Sequence, residues 1–175
     1  MKKLWMLLLP AFMLWGCGAE PTLEVIGDDY VIATEPAAAV WVMWPEEAEA
    51  IAEESGENRI YFCDGYTLEV QTMAAGDLDR TLRNVTGFKA EQLMLWQTES
   101  DGLTRYECAW SCAGEGGDQV ARLVLLDDGA YHYAIRVMAD ADKAGKLAEL
   151  WNQVLETVSL GDTAQGLPGK GPGIV

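Results

Sequence analysis

Hydrophobic residues recur at spacings of three and four near the end of the chain, which predicts an amphipathic helix that begins at Asp140. Its apolar stripe comprises Leu147, Leu150, Trp151, Val154, Leu155 and Val158. Four earlier stretches are rich in β-branched and aromatic residues, and they predict strands at 93–99, 103–112, 119–126 and 130–138. Because strands joined by short turns pair antiparallel, the pattern predicts a meander with the long helix lying across it.

The residues up to Gly56 predict strands followed by a helix. Short strands are predicted at 23–26 and 30–34, and the apolar run 38–44 fits a strand buried on both faces. Pro45 and the glutamates after it predict a helix that ends at Gly56, because proline and acidic side chains suit a first helical turn.

A hairpin and a short helix are predicted next. Asp64-Gly65 is a strong turn signal between the alternating runs 59–63 and 66–73. Asp77 is predicted to cap a helix that ends at Gly87. Strands followed by helices, with no internal repeat, predict a single α+β domain.

The order of these elements resembles that of small secreted domains with the PsbP-like fold. The stretch Val40-Trp41-Val42-Met43-Trp44-Pro45 precedes the hairpin, the short helix and the meander, and Ala139-Asp140-Ala141-Asp142 opens a helix that ends in Thr157-Val158-Ser159-Leu160. The resemblance covers most of 24–160 and implies an antiparallel sheet between helical layers, an α/β/α sandwich. It also implies an accessory or binding protein, and it carries over no functional residue.

The first residues of the chain look like a bacterial lipoprotein signal. Lys2 and Lys3 precede a short apolar run, and Leu14-Trp15-Gly16-Cys17 occupies the place of the lipobox. This predicts removal of 1–16 and lipidation of Cys17, with a non-lipidated signal or a short membrane anchor as the alternative.

The expected organisation follows from that signal and from the composition. Residues 17–27 are predicted to form the lipidated N-terminus and a short linker, and 28–160 the single domain. The segment 161–175 is rich in glycine and proline, which predicts a mobile tail.

Charge narrows the classes of partner. The mature part keeps all 28 acidic residues and loses Lys2 and Lys3 from the 12 basic ones, so its net charge is -18. Such a surface repels nucleic acid and anionic lipid headgroups. The predicted partners are therefore the membrane, through the N-terminal lipid, and an envelope protein or a cationic ligand.

Three cysteines remain in the mature domain. Cys108 and Cys112 would lie ~13 Å apart in a strand, too far for the ~5.5 Å between the Cα atoms of a disulfide. A bridge from Cys63 to Cys108 or to Cys112 is allowed outside the cytoplasm, and buried reduced thiols are the favoured alternative. Together with His132 these cysteines lack the usual zinc-chelating spacing, so neither a metal nor a cofactor is predicted.

Other chemistry-bearing residues have simple structural interpretations. His132 is the one histidine, and it is out of phase with the apolar residues around it, which predicts a place on the opposite sheet face or at an edge. No nucleophile elbow is present, which favours a structural or surface histidine. The glycine-rich segment 114–118 predicts a hairpin loop, although Glu115 and Asp118 leave a weak calcium site open. Most tryptophans are expected in the core, with Trp151 the clearest case.

These patterns predict a lipid-anchored binding or accessory protein of the bacterial cell envelope. It would face the extracytoplasmic side of the cell membrane or the outer membrane. An envelope hydrolase and a structural subunit of an envelope complex are the alternatives. No catalytic residue is assigned.

Overall fold

The computed structural model describes residues 36–43, 51–55 and 58–161, and at 51–55 it describes the backbone alone. Its strands are β1 (Ala39–Trp41), β2 (Ile51–Ser55), β3 (Asn58–Cys63), β4 (Tyr66–Ala74), β5 (Trp96–Ser100), β6 (Leu103–Gly114), β7 (Gly117–Asp127), β8 (Tyr131–Asp140) and β9 (Ser159–Gly161). Its helices are α1 (Leu78–Thr86) and α2 (Ala141–Glu156), and a single 3-10 turn covers Ala90–Gln92.

Seven strands form one antiparallel sheet in the order β2-β3-β4-β8-β7-β6-β5, and β1 pairs with β9 in a separate two-stranded sheet. The strands β5 to β8 are the predicted meander. The last of them, β8, lies between β7 and β4, so it joins the meander to the β3–β4 hairpin.

A helix packs against each face of the main sheet, which gives the predicted α/β/α sandwich. On the face that carries α2, the core contains Leu68, Val70, Val124, Tyr133, Ile135, Val137, Trp151, Val154 and Leu155. On the face that carries α1, the core contains Leu82, Val85, Cys108, Leu123, Leu125 and Ala134. The α+β fold class predicted from the sequence is therefore confirmed.

Helix α1 has the predicted beginning and end. The Asp77 side chain accepts a hydrogen bond from the backbone N–H of Arg80 at 2.8 Å. Gly87 has a φ of 82° and donates its N–H to the carbonyl of Arg83, which is the left-handed C-terminal cap that glycine forms without strain.

Helix α2 also lies where the periodicity predicts it, with Trp151 and Leu155 buried against the sheet. Its beginning differs in one detail. Asp140 stands at the cap position, but its side chain makes no capping hydrogen bond. Its carboxylate accepts a hydrogen bond from Lys143 Nζ at 2.8 Å instead. Val158 lies beyond the end of the helix and is still buried.

In the first part of the chain, one strand is shorter than predicted and one predicted helix is contradicted. The run 38–44 gives only the three-residue strand β1, outside the main sheet. The helix predicted from Pro45 to Gly56 is contradicted at 51–55, where the backbone pairs with β3 as the edge strand β2. Backbone pairing with a neighbouring strand outweighs the local preference of a glutamate-rich segment.

The predicted strands at 23–26 and 30–34, the signal, the linker and nearly all of the tail lie outside the described residues. Within the described ranges, no helix combines the length and the apolar character needed to cross a membrane.

Candidate functional site around His132

The most informative polar cluster surrounds His132, which lies in β8 with 1% of its surface exposed. Its side chain is on the α1 face, opposite the phase of Tyr133 and Ile135, as its position in the sequence suggests. Nδ1 lies 2.8 Å from Oγ1 of Thr81, and Nε2 lies 3.5 Å from Oδ2 of Asp127. A hydroxyl, an imidazole and a carboxylate thus form one row.

Two elements of structure bring this row together. Asp127 and His132 are register partners across the β7–β8 pair, so their side chains lie on the same face. Thr81 comes from α1, and its neighbour Leu82 packs in the core formed with Leu125. The row therefore crosses from the helix to two strands of the sheet.

The row contains the same three groups as a hydrolase triad, in a different environment. In the serine protease triad the nucleophile faces Nε2 and the carboxylate faces Nδ1, whereas here the hydroxyl faces Nδ1. Thr81 has only 6% of its surface exposed, and of the three side chains that of Asp127 is the most exposed, at 26%. This geometry satisfies buried polar atoms between α1 and the sheet.

The turn between β7 and β8 fixes both layers of the sandwich. Asp127 accepts a hydrogen bond from the N–H of Gly129 and faces His132. The next residue, Asp128, accepts one from the hydroxyl of Tyr133 at 2.8 Å. That hydroxyl in turn accepts one from the N–H of Ala38 at 2.9 Å. Burial raises the pKa of Tyr133 above its ordinary value, so the hydroxyl stays a donor to Asp128.

Two arginines bind the C-terminal ends of the helices. Arg136 forms an ion pair with Glu69 and donates to the carbonyl of Val85 in α1 at 2.8 Å. On the other face, Arg105 donates to the carbonyl of Leu155 at 2.7 Å. A cation at this end of a helix interacts favourably with the helix dipole, so both contacts stabilise the packing of a helix on the sheet.

Comparison with known proteins gives structural neighbours only. No protein-family model matches the chain, and no curated protein matches it. A protein from Bacteroides thetaiotaomicron aligns with a TM-score of 0.48 and 10% identity, over 74% of this chain and 47% of its own, so the chain spans about half of that protein. Cyanobacterial PsbP (CyanoP) from Synechocystis aligns with a TM-score of 0.49 and 11% identity, over 75% of this chain and 98% of its own. LpqN, involved in cell envelope biogenesis of Mycobacterium tuberculosis, aligns with a TM-score of 0.46 and 14% identity, over 75% and 88%.

The structure contradicts the bridge between Cys63 and Cys108 or Cys112. All three cysteines are free. Cys63 packs in the α2-side core and Cys108 in the α1-side core. Cys112 shares the face of Cys108 because it is four positions further along the same strand, an even number. The sheet itself therefore stands between the proposed partners. Burial raises the pKa of Cys108 to about 11, which keeps its thiol protonated and weakly nucleophilic.

The glycine-rich segment forms the predicted hairpin. Gly114 and Gly117 are register partners, and Glu115 lies in the turn between them. Glu115 and Asp118 are both exposed. Among residues 36–43 and 58–161, no group of three or more histidine, cysteine or acidic side chains is placed to hold a metal ion.

The tryptophans divide between core and surface. Trp151 is 1% exposed and meets the ring of Tyr66 edge-on, which confirms its core position. Trp110 and Trp41 are half-buried, and Trp44 lies outside the described residues. Trp96 is 72% exposed at the sheet edge, where the sequence alone suggested a core position for most tryptophans.

Sequence reasoning missed two members of the His132 row. Thr81 falls on the apolar stripe of its helix, between Leu78 and Val85, and a hydroxyl in such a stripe is a signal for a buried polar contact. Asp127 falls between the predicted strands 119–126 and 130–138, where the sequence predicts only a turn. The register that places it beside His132 became visible only with the paired strands.

Proposed function

We propose that the mature chain is a lipid-anchored binding or accessory protein on the extracytoplasmic side of a bacterial membrane. The observation that carries this proposal is Leu14-Trp15-Gly16-Cys17, which follows Lys2 and Lys3 and an apolar run. A lipid supplies the attachment because the acidic mature chain is repelled by anionic headgroups. A binding or accessory role is what the resemblance of the element order to the PsbP-like fold implies.

The chain between the lipid and the folded domain limits how far the domain can act from the membrane. Nineteen peptide units separate Cys17 from Pro36, the first described residue, and they span at most ~65 Å when fully extended. The hydrogen bond from Ala38 to Tyr133 holds the chain beside the β7–β8 turn soon after this point. In this proposal, the chain that leads from the lipid enters the domain at this end of the sheet.

Replacing Cys17 with serine tests the anchor. Cells expressing the unchanged chain should retain it in the membrane fraction, with a mass that includes acyl groups, and the C17S chain should lack both properties. Cys112→Ser is the matched control, since it removes a thiol from β6 and leaves the signal intact. Unchanged fractionation and mass in C17S would refute the proposal.

The binding role has its own test. The lipidated protein is recovered from its own detergent-solubilised membranes by an affinity tag, with the C17S chain as the control. A protein that is enriched only with the lipidated form, in more than one preparation, supports an accessory or structural role. Recovery of the same background with both forms argues against a membrane-protein partner.

A second candidate, an envelope hydrolase, is favoured by one observation, the Thr81–His132–Asp127 row. Thr81 would be the nucleophile and His132 the base. The mature domain is assayed with a small activated ester, alongside the T81V chain. Turnover that disappears in T81V while the domain stays folded supports this candidate, and equal rates with both chains exclude it.

A further inference from the structure

Strand β6 is much longer than the strand that covers its outer side. β6 has 12 residues, whereas β5 pairs only with the first five of them, Leu103 to Glu107. The remaining segment, Cys108 to Gly114, pairs with β7 on its inner side. On its outer side no strand of the described residues pairs with it. We call Cys108 to Gly114 the open edge.

The open edge presents backbone hydrogen-bonding groups in a regular row. In an antiparallel strand, alternate residues direct their N–H and C=O groups to opposite sides. Since one set is bonded to β7, the other set points outward along the open edge. Such a row is a template for the addition of another strand.

The features by which proteins commonly block an exposed edge are absent from this segment. Cys108 to Gly114 contains neither a charged residue nor a proline, although lysine and proline are common protections of edge strands. On the α2 face its side chains are small and exposed: Ala109, Ser111 and Ala113. On the α1 face, Trp110 and Cys112 are half-buried. A strand laid against the edge would contact the Trp110 ring on one side and find space on the other.

Charge identifies the kind of strand that fits. Glu107 precedes the open edge and Glu115 follows it. Glu107 is bound by Arg105, while Glu115 forms no ion pair with any described residue. Asn152 of α2 accepts a hydrogen bond from Arg122 of β7, whereas Lys143 lies beside the distant β3–β4 turn.

Two acids lie on the side of α2 that carries Asn152, and we call this side the acidic flank. Glu149 and Glu156 share the side of the helix that carries Asn152, since they stand three and four residues from it. These acids attract a basic partner strand. They disfavour a second copy, because two chains of net charge -18 repel each other. An antiparallel self-pair centred on Ser111 would also set Glu107 opposite Glu115.

We propose that the open edge binds an extended segment of a partner polypeptide that has small or apolar alternating residues at its centre and basic residues at its ends. The segment adds an eighth strand beside β6, in continuation of β5. This inference deepens the proposed binding role and rests on it. It does not depend on the lipid, since the open edge lies within the folded domain.

The test uses the mature domain labelled for NMR and a synthetic peptide of alternating threonine and valine with two lysines at each end. Alternate amides of Cys108 to Gly114 should exchange rapidly in the free protein and gain protection on binding. Replacing the lysines by glutamates should weaken binding by about tenfold or more, because the acidic flank then repels the peptide.

Two variants locate the site. Ser111→Lys places a long charged side chain on the open edge, and binding should weaken by about tenfold. Ser159→Lys makes the same chemical change on exposed β9, away from this edge, and binding should stay within about twofold. Protection elsewhere in the protein, equal effects of both variants, or dimerisation through β6 without peptide would each overturn the proposal. Because the domain is soluble in this test, its failure is distinct from a failure of the Cys17 experiment.

Discussion

The buried contact between Thr81 and His132 gives a quantitative prediction. Thr81→Val keeps the volume of the side chain and removes the hydroxyl that lies 2.8 Å from Nδ1 of His132. The imidazole nitrogen then has no partner in a site that is 1% exposed. An unsatisfied buried polar group costs about 1–3 kcal/mol, and we expect the free energy of unfolding to fall by about 2 kcal/mol.

Urea unfolding of the mature domain measures this loss. With an m-value of about 1–3 kcal/mol/M, the midpoint should fall by about 1 M at an unchanged slope. Thr98→Val is the matched control, because Thr98 is exposed in β5. Its effect should stay within about 0.5 kcal/mol.

A double-mutant cycle separates the contact from other effects of the substitution. His132→Leu alone leaves the Thr81 hydroxyl buried without its partner, whereas the double variant removes both groups. In that variant neither of the two groups is left unpaired, and Asp127 keeps its hydrogen bond from Gly129. The loss of stability in the double variant should therefore be about 1–2 kcal/mol smaller than the sum of the losses in the single variants. Additive losses, or a Thr81→Val chain as stable as the original, would refute the structural role of the row.

Two further predictions concern a glycine and a thiol. Gly161→Ala should lower the free energy of unfolding by about 1–3 kcal/mol, because the new Cβ would overlap the indole of Trp41. Gly145→Ala lies in open space on α2 and should raise the free energy of unfolding by about 0.5–1 kcal/mol. Thermal unfolding that ranks the two variants in the opposite order would contradict this packing. Burial raises the pKa of Cys108 from 9.0 to about 11, so the unfolded chain loses this proton first and the folded state should lose stability as the pH rises from about 9 to 11. Urea titrations across that pH range should show a smaller loss of stability in Cys108→Ala than in the original chain. Equal losses of stability in the two chains would show that the buried thiol does not cause the pH dependence.

The parts of the fold that sequence predicts well are those specified by neighbouring residues. The Asp64-Gly65 hairpin, the caps of α1 and the stripe of α2 each rest on a short local pattern. The pairing of β1 with β9 depends on a distant partner. Strand β2 pairs with β3, the next strand in sequence, but the composition of β2 does not favour a strand. The residues around Glu53 have a composition that favours a helix, and only the backbone of β3 makes them a strand.

The same distinction applies to the candidate site. The phase of His132 against Tyr133 predicted either the opposite face of the sheet or an edge, and the structure has His132 on the opposite face. Its partners could not be predicted, because Thr81 is 51 residues away in sequence. Asp127 is close in sequence, but its role depends on the register of β7 with β8. The disulfide from Cys63 could not be judged from the sequence for a related reason. The spacing of the cysteines does not specify the face of the sheet on which each thiol lies.

The position of β8 has a consequence for how the chain reaches its folded state. β8 is the last strand of the main sheet to be synthesised, yet it joins β4 to β7. Until residue 140 is available, the β2–β4 and β5–β7 groups share no strand contact in this sheet. Contacts between such distant segments form slowly, so completion of the fold is delayed until almost the whole domain has been made. A delay of this kind suits a chain exported in an unfolded state, as the proposed signal requires, because it keeps the domain open while it crosses the membrane.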